Sequence, residues 1–185
     1  MIETNSNDTS FTPSWDIHAM LRVNQAGEYG AKCIYQGQLS ALKSSSLLPI
    51  IQHMANQEEK HLATFNELCL QRRVRPTILS PFWHIFGYSL GYVSGKLGEK
   101  TAMACTVAVE EVIDKHYQEQ LSYLEEHYPC TEQVLKKTVE QFREEELEHR
   151  DIGIENEAHS MPGHIFFSVA VKTVTRLAIS LSKRF

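Results

Sequence analysis

The sequence predicts an all-α protein: a four-helix bundle with two further apolar helices. Three observations predict it. Apolar residues recur at steps of three and four along four long stretches, the period of helices with one face in a core. No stretch alternates with period two over a strand's length, so no sheet is expected. Pro76, Pro81, Pro129 and Pro162 fall between the periodic stretches, where they punctuate loops.

Taken in order, residues 1–14 (MIETNSNDTSFTPS) are polar and slightly acidic and read as a flexible tail. They have neither the apolar centre of a secretory signal nor the arginine richness of a mitochondrial transit peptide. The remaining residues, 15–185, read as one domain. A first helix runs from Trp15 to about Leu42, with Ser14 or Asp16 as its cap, and a second from Leu47 to about Arg72. Residues 82–98 form an apolar, glycine-rich helix. Thr101 to about Tyr128 is the next, and Thr131, a candidate cap, opens another that runs to about His159. Residues 165–185 form a last, amphipathic helix.

Composition narrows the function classes. A net charge of −5 gives no overall basic footprint for nucleic acid. Cys33, Cys69, Cys105 and Cys130 show no C-x-x-C spacing, which argues against a cysteine zinc site or a disulfide scaffold. The first three sit in apolar runs and read as small core residues.

Each core stripe carries polar residues at its middle. The first helix gives Ile17, Leu21, Asn24, Glu28, Ala31, Tyr35, Leu39; the second gives Ile51, Met54, Glu58, His61, Phe65, Leu68. The helix after the glycine-rich one gives Met103, Val107, Glu110, Asp114, Tyr117, Leu121; the next gives Leu135, Val139, Phe142, Glu146, His149. An ionised carboxylate buried without a partner costs several kcal/mol or more, and four together repel one another. Two divalent cations would neutralise four carboxylates and leave two imidazoles as neutral donors. Carboxylate and imidazole without thiolate suit iron or manganese.

Spacing strengthens this reading. Glu58-Glu59-Lys60-His61 and Glu146-Leu147-Glu148-His149 are both Glu-x-x-His, which places both side chains on one helix face. The order is Glu28, then Glu58/His61, then Glu110, then Glu146/His149, a duplicated helical hairpin. Ferritin-like di-iron carboxylate bundles use this order: one Glu from each of two helices and Glu-x-x-His from each of the other two. Glu59, Glu111, Glu145 and Glu148 fall off the stripes and read as outward-facing groups or as groups that support a ligand from behind. Asp114 shares a stripe with Glu110 and is a candidate to orient a ligating histidine. His116 and Tyr117 lie two turns beyond Glu110, with Tyr117 expected as a pocket wall.

RVNQAGEYGA (residues 22–31), QEEKHL (57–62), RVRPT (73–77), GEKTAMACTVAVEEVIDKHY (98–117) and EEELEHRDIG (144–153) resemble the demethoxyubiquinone hydroxylase family, ferritin-like di-iron monooxygenases of ubiquinone biosynthesis. The likeness runs from about Ile17 to the C-terminus. AGEYGA and AMACTVAVEE make it more specific than the bare ligand pattern, since metal binding does not demand them. One departure is Asn24, where members of the family often carry His. The resemblance implies ring hydroxylation of a polyprenylated, demethoxy benzoquinol with O2. The six residues Glu28, Glu58, His61, Glu110, Glu146 and His149 would hold two irons, with electrons from NADH or through the quinone itself. The competing readings are another ferritin-like di-iron oxidase and a membrane-associated quinone-binding scaffold with structural metals.

Such a substrate lives in a bilayer, so a membrane surface is an expected partner. Between Arg75 and Lys96 no residue is formally charged, yet the fourteen residues from Phe82 to Gly95 span only about 21 Å as a helix, short of the ~30 Å hydrocarbon core. Gly87, Gly91 and Gly95 make a ridge for close helix approach, and Phe82, Trp83, Phe86, Tyr88 and Tyr92 offer interfacial anchors. The anchors favour a half-immersed, membrane-interfacial helix, with a buried packing helix as the alternative. In the last helix Lys172, Arg176, Lys183 and Arg184 oppose Phe166, Val169, Ala170, Val174, Leu177 and Leu181. That pattern fits an anionic leaflet or a packed helix equally. An accessory lipid-binding partner and a homo-oligomer are both compatible with it. The expected location is the cytoplasmic face of a bacterial inner membrane, with the matrix side of the mitochondrial inner membrane as the alternative.

Overall fold

A computed structural model describes residues 17–185; the expected tail and the start of the first helix, with Ser14, Trp15 and Asp16, lie outside the described residues. Among the described residues six α-helices follow one another: α1 (Ile17–Ala41), α2 (Leu48–Gln71), α3 (Ser80–Lys96), α4 (Glu99–His127), α5 (Gln133–Glu155) and α6 (His164–Arg184). No strand occurs among the described residues. The fold is all-α and ferritin-like, with hairpins α1–α2 and α4–α5 packed on one another and α3 as the crossover between them.

Local chemistry sets most helix ends. Pro49 and Pro81 sit in the first turns of α2 and α3, where a missing N–H costs no helical hydrogen bond. Gly98 takes φ +120°, turning the chain sharply out of α3 into α4. Two expectations are corrected. Helix α5 begins at Gln133 after Glu132, so Thr131 does not cap it. It also stops at Glu155 rather than His159: Glu157 takes a left-handed φ of 62°, and a separate 3-10 turn, Ala158–Ser160, follows.

Apolar residues from all four bundle helices fill the core. Met20, Leu21, Ile51, Met54, Phe65, Met103, Leu124 and Leu135 are fully buried. Burying each such side chain contributes about 1.5–3 kcal/mol. Gln38 ties α1 to α4 by donating to the Ala102 carbonyl (3.0 Å). Cys33, Cys69 and Cys105 are buried free thiols, and Cys130 is exposed.

Helices α3 and α6 form an outer layer. The glycine ridge of α3 meets α1 backbone to backbone. A Cβ on Gly91 would run into the Ile34 carbonyl oxygen, and one on Gly37 into the Tyr88 carbonyl oxygen. Trp83 donates to Ser182 Oγ (2.9 Å), and Arg22 donates to the carbonyls of Arg75 (3.1 Å) and Lys183 (3.4 Å), fixing the end of α6 against α1 and α3. The opposite faces are exposed and apolar: Phe82, Ile85 and Val93 on α3, and Ile165, Phe166 (84% exposed), Val169 and Leu177 on α6. Helix α6 is long and apolar enough to cross a membrane, by length and composition. It turns Ser168, Val171 and Ser182 inward. Lys172 does not stand free on a basic face: it pairs with Glu111 of α4.

Candidate metal centre

The helical period places Glu28 on α1, Glu58 and His61 on α2, Glu110 on α4, and Glu146 and His149 on α5, all facing one point inside the bundle. All six side chains are buried. Their donor atoms form two sets, each within 4.8 Å: Glu28, Glu58, His61 and Glu146, and Glu58, Glu110, Glu146 and His149. Glu58 and Glu146 belong to both sets and so sit between two positions.

Both Glu58 oxygens, Glu110 Oε2 and His61 Nδ1 have no hydrogen-bond partner. Leaving a buried polar atom unpaired costs about 1–3 kcal/mol, and more when it is charged. Four such atoms converging on one point fit a cation: three are carboxylate oxygens and one is an imidazole nitrogen, all hard or borderline donors. The cluster can hold metal.

Both imidazoles turn Nδ1 towards the carboxylates. His61 Nδ1 lies 3.5 Å from Glu28 and 3.3 Å from Glu146; His149 Nδ1 lies 3.2 Å from Glu58 and 3.1 Å from Glu146. Each outer nitrogen has a hydrogen-bond acceptor. His61 Nε2 donates to Glu145 Oε2 (2.8 Å), and His149 Nε2 donates to Gln57 Oε1 (3.0 Å). With the proton on Nε2, the Nδ1 lone pair points at the carboxylates. The Phe142 ring stacks on His61, centroids 4.0 Å apart, and shields it from water.

In the metal-free protein, protons do the work of cations. Burial, then repulsion from Glu146, pushes the Glu58 and Glu110 carboxyls well above the ordinary carboxylate range. Burial also opposes ionisation of Glu146, but its hydrogen bond with His149 and the adjacent His61 imidazole outweigh it and bring its pKa to about 2. Burial disfavours a charged His61; the Glu146 and Glu28 carboxylates close beside its Nδ1 outweigh that and raise it to about 12.

Two tyrosines brace the outer carboxylates. Tyr35 of α1 donates to Glu110 Oε1 of α4 (2.9 Å), and Tyr117 of α4 donates to Glu28 of α1. Tyr117, expected as a pocket wall, thus touches a candidate ligand directly. Tyr35 was legible only as a core residue. Its signal was an offset: Tyr35 follows Glu28 by seven residues, as Tyr117 follows Glu110. One turn from Glu28, Asn24 exchanges hydrogen bonds with Gln120 (2.9 and 2.6 Å), and His116 Nε2 lies 3.3 Å from Asn24 Oδ1. Asp114 does not orient a histidine: its carboxylate accepts from Arg143 Nε (2.6 Å) instead. Among the other acids, Glu59 pairs with Lys32 at the surface, and Glu148 is exposed.

Space leads from the outer layer towards this cluster. An apolar cavity of about 70 Å³ lies between α1, α3, α4 and α6, lined by Ile34, Trp83, Phe86, Leu90, Val174 and Ala178 among others. Val23, Gly27, Ala31, Ile113 and Ile179 also line a second, narrower space of about 10 Å³ that reaches Glu28, Glu110, Glu146 and Tyr117.

Residues 16–182 match the model of the family described as "Ubiquinone biosynthesis protein COQ7". The chain belongs to the COQ7 family. Among similar COQ7 relatives, the 3-demethoxyubiquinol 3-hydroxylase of Rhodospirillum rubrum is 49% identical over 174 residues, covering 94% of this chain and 80% of that protein. The mitochondrial NADPH-dependent 3-demethoxyubiquinone 3-hydroxylase of Dictyostelium discoideum is 49% identical over 168 residues, 91% of this chain and 77% of that protein. Its human namesake is 45% identical with the same coverage.

Proposed function

We propose that this COQ7-family chain hydroxylates the ring of demethoxyubiquinol with O2, at a di-iron centre held by Glu28, Glu58, His61, Glu110, Glu146 and His149. It is an oxidoreductase of ubiquinone biosynthesis, as its relatives are named. One observation carries the reading: two four-donor sets share Glu58 and Glu146 and hold unpaired buried atoms, at the inner end of an apolar cavity.

When bound, the irons supply the reductive activation of O2, with electrons from a nicotinamide nucleotide or through the quinone. The chain's own residues do the rest. Glu58 and Glu146 lie where they can serve both ions. Tyr117 and Tyr35 hold the carboxylates of Glu28 and Glu110 in place. Met54, Phe65, Val107 and Phe142 are buried around the cluster and exclude water. The apolar cavity, about 70 Å³, marks the path along which the ring approaches and must widen to admit it. At about 10 Å³, its inner neck fits one water at most, so the ring reaches the centre only when the side chains lining the neck move apart.

The exposed apolar faces of α3 and α6 flank that cavity, and we read them as the surface that rests on the membrane. The relatives named above include a bacterial protein and mitochondrial ones, so both the cytoplasmic face of a bacterial inner membrane and the mitochondrial matrix side stay within the proposal.

The test is a single turnover. Reduced protein loaded with two irons is mixed with demethoxyubiquinol and ¹⁸O2, and the expected product carries one ¹⁸O in a new ring hydroxyl. A reduced, two-iron protein that leaves the ring unchanged under every electron supply refutes the proposal.

A further inference from the structure

The centre is close to two-fold symmetric, with hairpin α1–α2 answering α4–α5. The tyrosine braces cross from one hairpin to the other in both directions. The acceptors of the outer imidazole nitrogens follow the same rule. Each is the residue immediately before a Glu-x-x-His glutamate, and each serves the histidine of the opposite hairpin. Glu145 of α5 accepts from His61 of α2, and Gln57 of α2 accepts from His149 of α5. The symmetry breaks at these two positions: one acceptor is a carboxylate and the other a neutral amide.

We infer that the two metal positions are unequal, and that the Glu28–His61 position binds its ion more tightly because Glu145, rather than an amide, orients its histidine. The inference rests on the di-metal reading above. A carboxylate accepting the Nε2–H draws the proton towards itself and makes Nδ1 a stronger donor; it also adds a negative charge close to the ion. The Gln57 carbonyl orients His149 equally well but adds no charge. Glu145 is itself fixed, since its other oxygen accepts from Gln141 (2.8 Å). Groups that orient ligating histidines typically affect metal affinity by about 10–100-fold. Glu145 keeps part of its surface in water, its side chain being 26% exposed, so the lower end of that range is expected. Glu145 and Gln57 are thus positioning residues, acting on metal only through the imidazoles.

The test uses the full metal-free chain, titrated anaerobically with Co(II) and followed by calorimetry and visible absorption. Two dications sharing Glu58 and Glu146 repel each other, which separates the steps even in a symmetric site, so the variants decide. Glu145→Gln is expected to weaken the first step about tenfold and leave the second within about twofold. Gln57→Glu is expected to tighten the second step. Proton NMR at one equivalent of Co(II) adds a readout that mere folding does not move. The first hyperfine-shifted imidazole N–H should exchange with water faster in Glu145→Gln and not in Gln57→Glu. If both variants leave both steps unchanged, or if the first N–H responds to residue 57 instead of residue 145, the inequality is refuted while the di-metal reading stands. If the wild-type chain takes up no Co(II), both fall.

Discussion

The interior of the bundle and its outer layer depart from the usual distribution of residues in opposite directions. Inside, four glutamates and two histidines lie buried where a core is normally apolar. Outside, α3 and α6 show Phe82, Ile85, Ile165, Phe166 and Leu177 to solvent, while α6 turns two serines inward. Each departure is costly for the chain alone, and each points to something the chain lacks. The buried acids call for cations, and the exposed apolar faces call for an apolar environment. The cavity between α1, α3, α4 and α6 lies where the two departures meet.

That contrast can be broken at either end. The largest effect is expected inside. Glu110→Ala should abolish turnover and lower iron content, with the circular dichroism of the helices largely retained; wild-type activity in this variant would remove the interior half of the comparison. Outside, the double variant Ile85→Asp and Phe166→Asp should weaken partitioning onto anionic phospholipid vesicles by about a hundredfold or more, since burial of the two apolar side chains together is worth about 3–6 kcal/mol. Its chemical denaturation in solution should stay within about 0.5 kcal/mol of wild type, as for other exposed sites.

A third variant sharpens the contrast by separating stability from function. In the metal-free protein both Glu58 oxygens are unpaired and buried. Glu58→Leu should therefore raise metal-free stability by about 1–3 kcal/mol in urea denaturation while ending metal binding. A fourth tests the polar cluster beside the site. Burial, helped by the nearby Lys183 charge, lowers the His116 pKa to about 4. Between pH 6.5 and 4 the unfolded chain binds a proton at this position that the native chain does not, so stability falls as pH falls. The contribution reaches about 1.4 kcal/mol per pH unit. His116→Gln should lose that slope in a pH series of denaturation midpoints. The smallest effect is expected at Glu59, whose pair with Lys32 is exposed. Glu59→Ala should leave turnover, iron content and the denaturation midpoint near wild type.

The bundle and its six inward-facing side chains were legible because helical spacing alone sets which residues of one helix share a face. Glu58 and His61 had to point the same way whatever surrounded them. What lay beyond the sequence depended on how helices rotate against one another. Nothing within α2 shows that Gln57 reaches His149 on α5, nor within α4 that Asp114 turns aside to Arg143. Lys172 read as part of a basic face until α6 was laid against α4, where Glu111 neutralises it. The end of α5 was missed for a different reason: Glu157 enters a left-handed conformation without a glycine or proline to announce it.

The glycine seam between α1 and α3 has a mechanical meaning for this design. With no room for a side chain between the two backbones, the helix that carries Glu28 and the helix that would meet lipid form a single stiff beam. On the membrane seating proposed above, the height of the centre above the bilayer would be a constant of the fold, like the gap of a fixed caliper. Travel to bring ring and centre together would then fall to the quinol, whose tail would have to bend out of the hydrocarbon to deliver it.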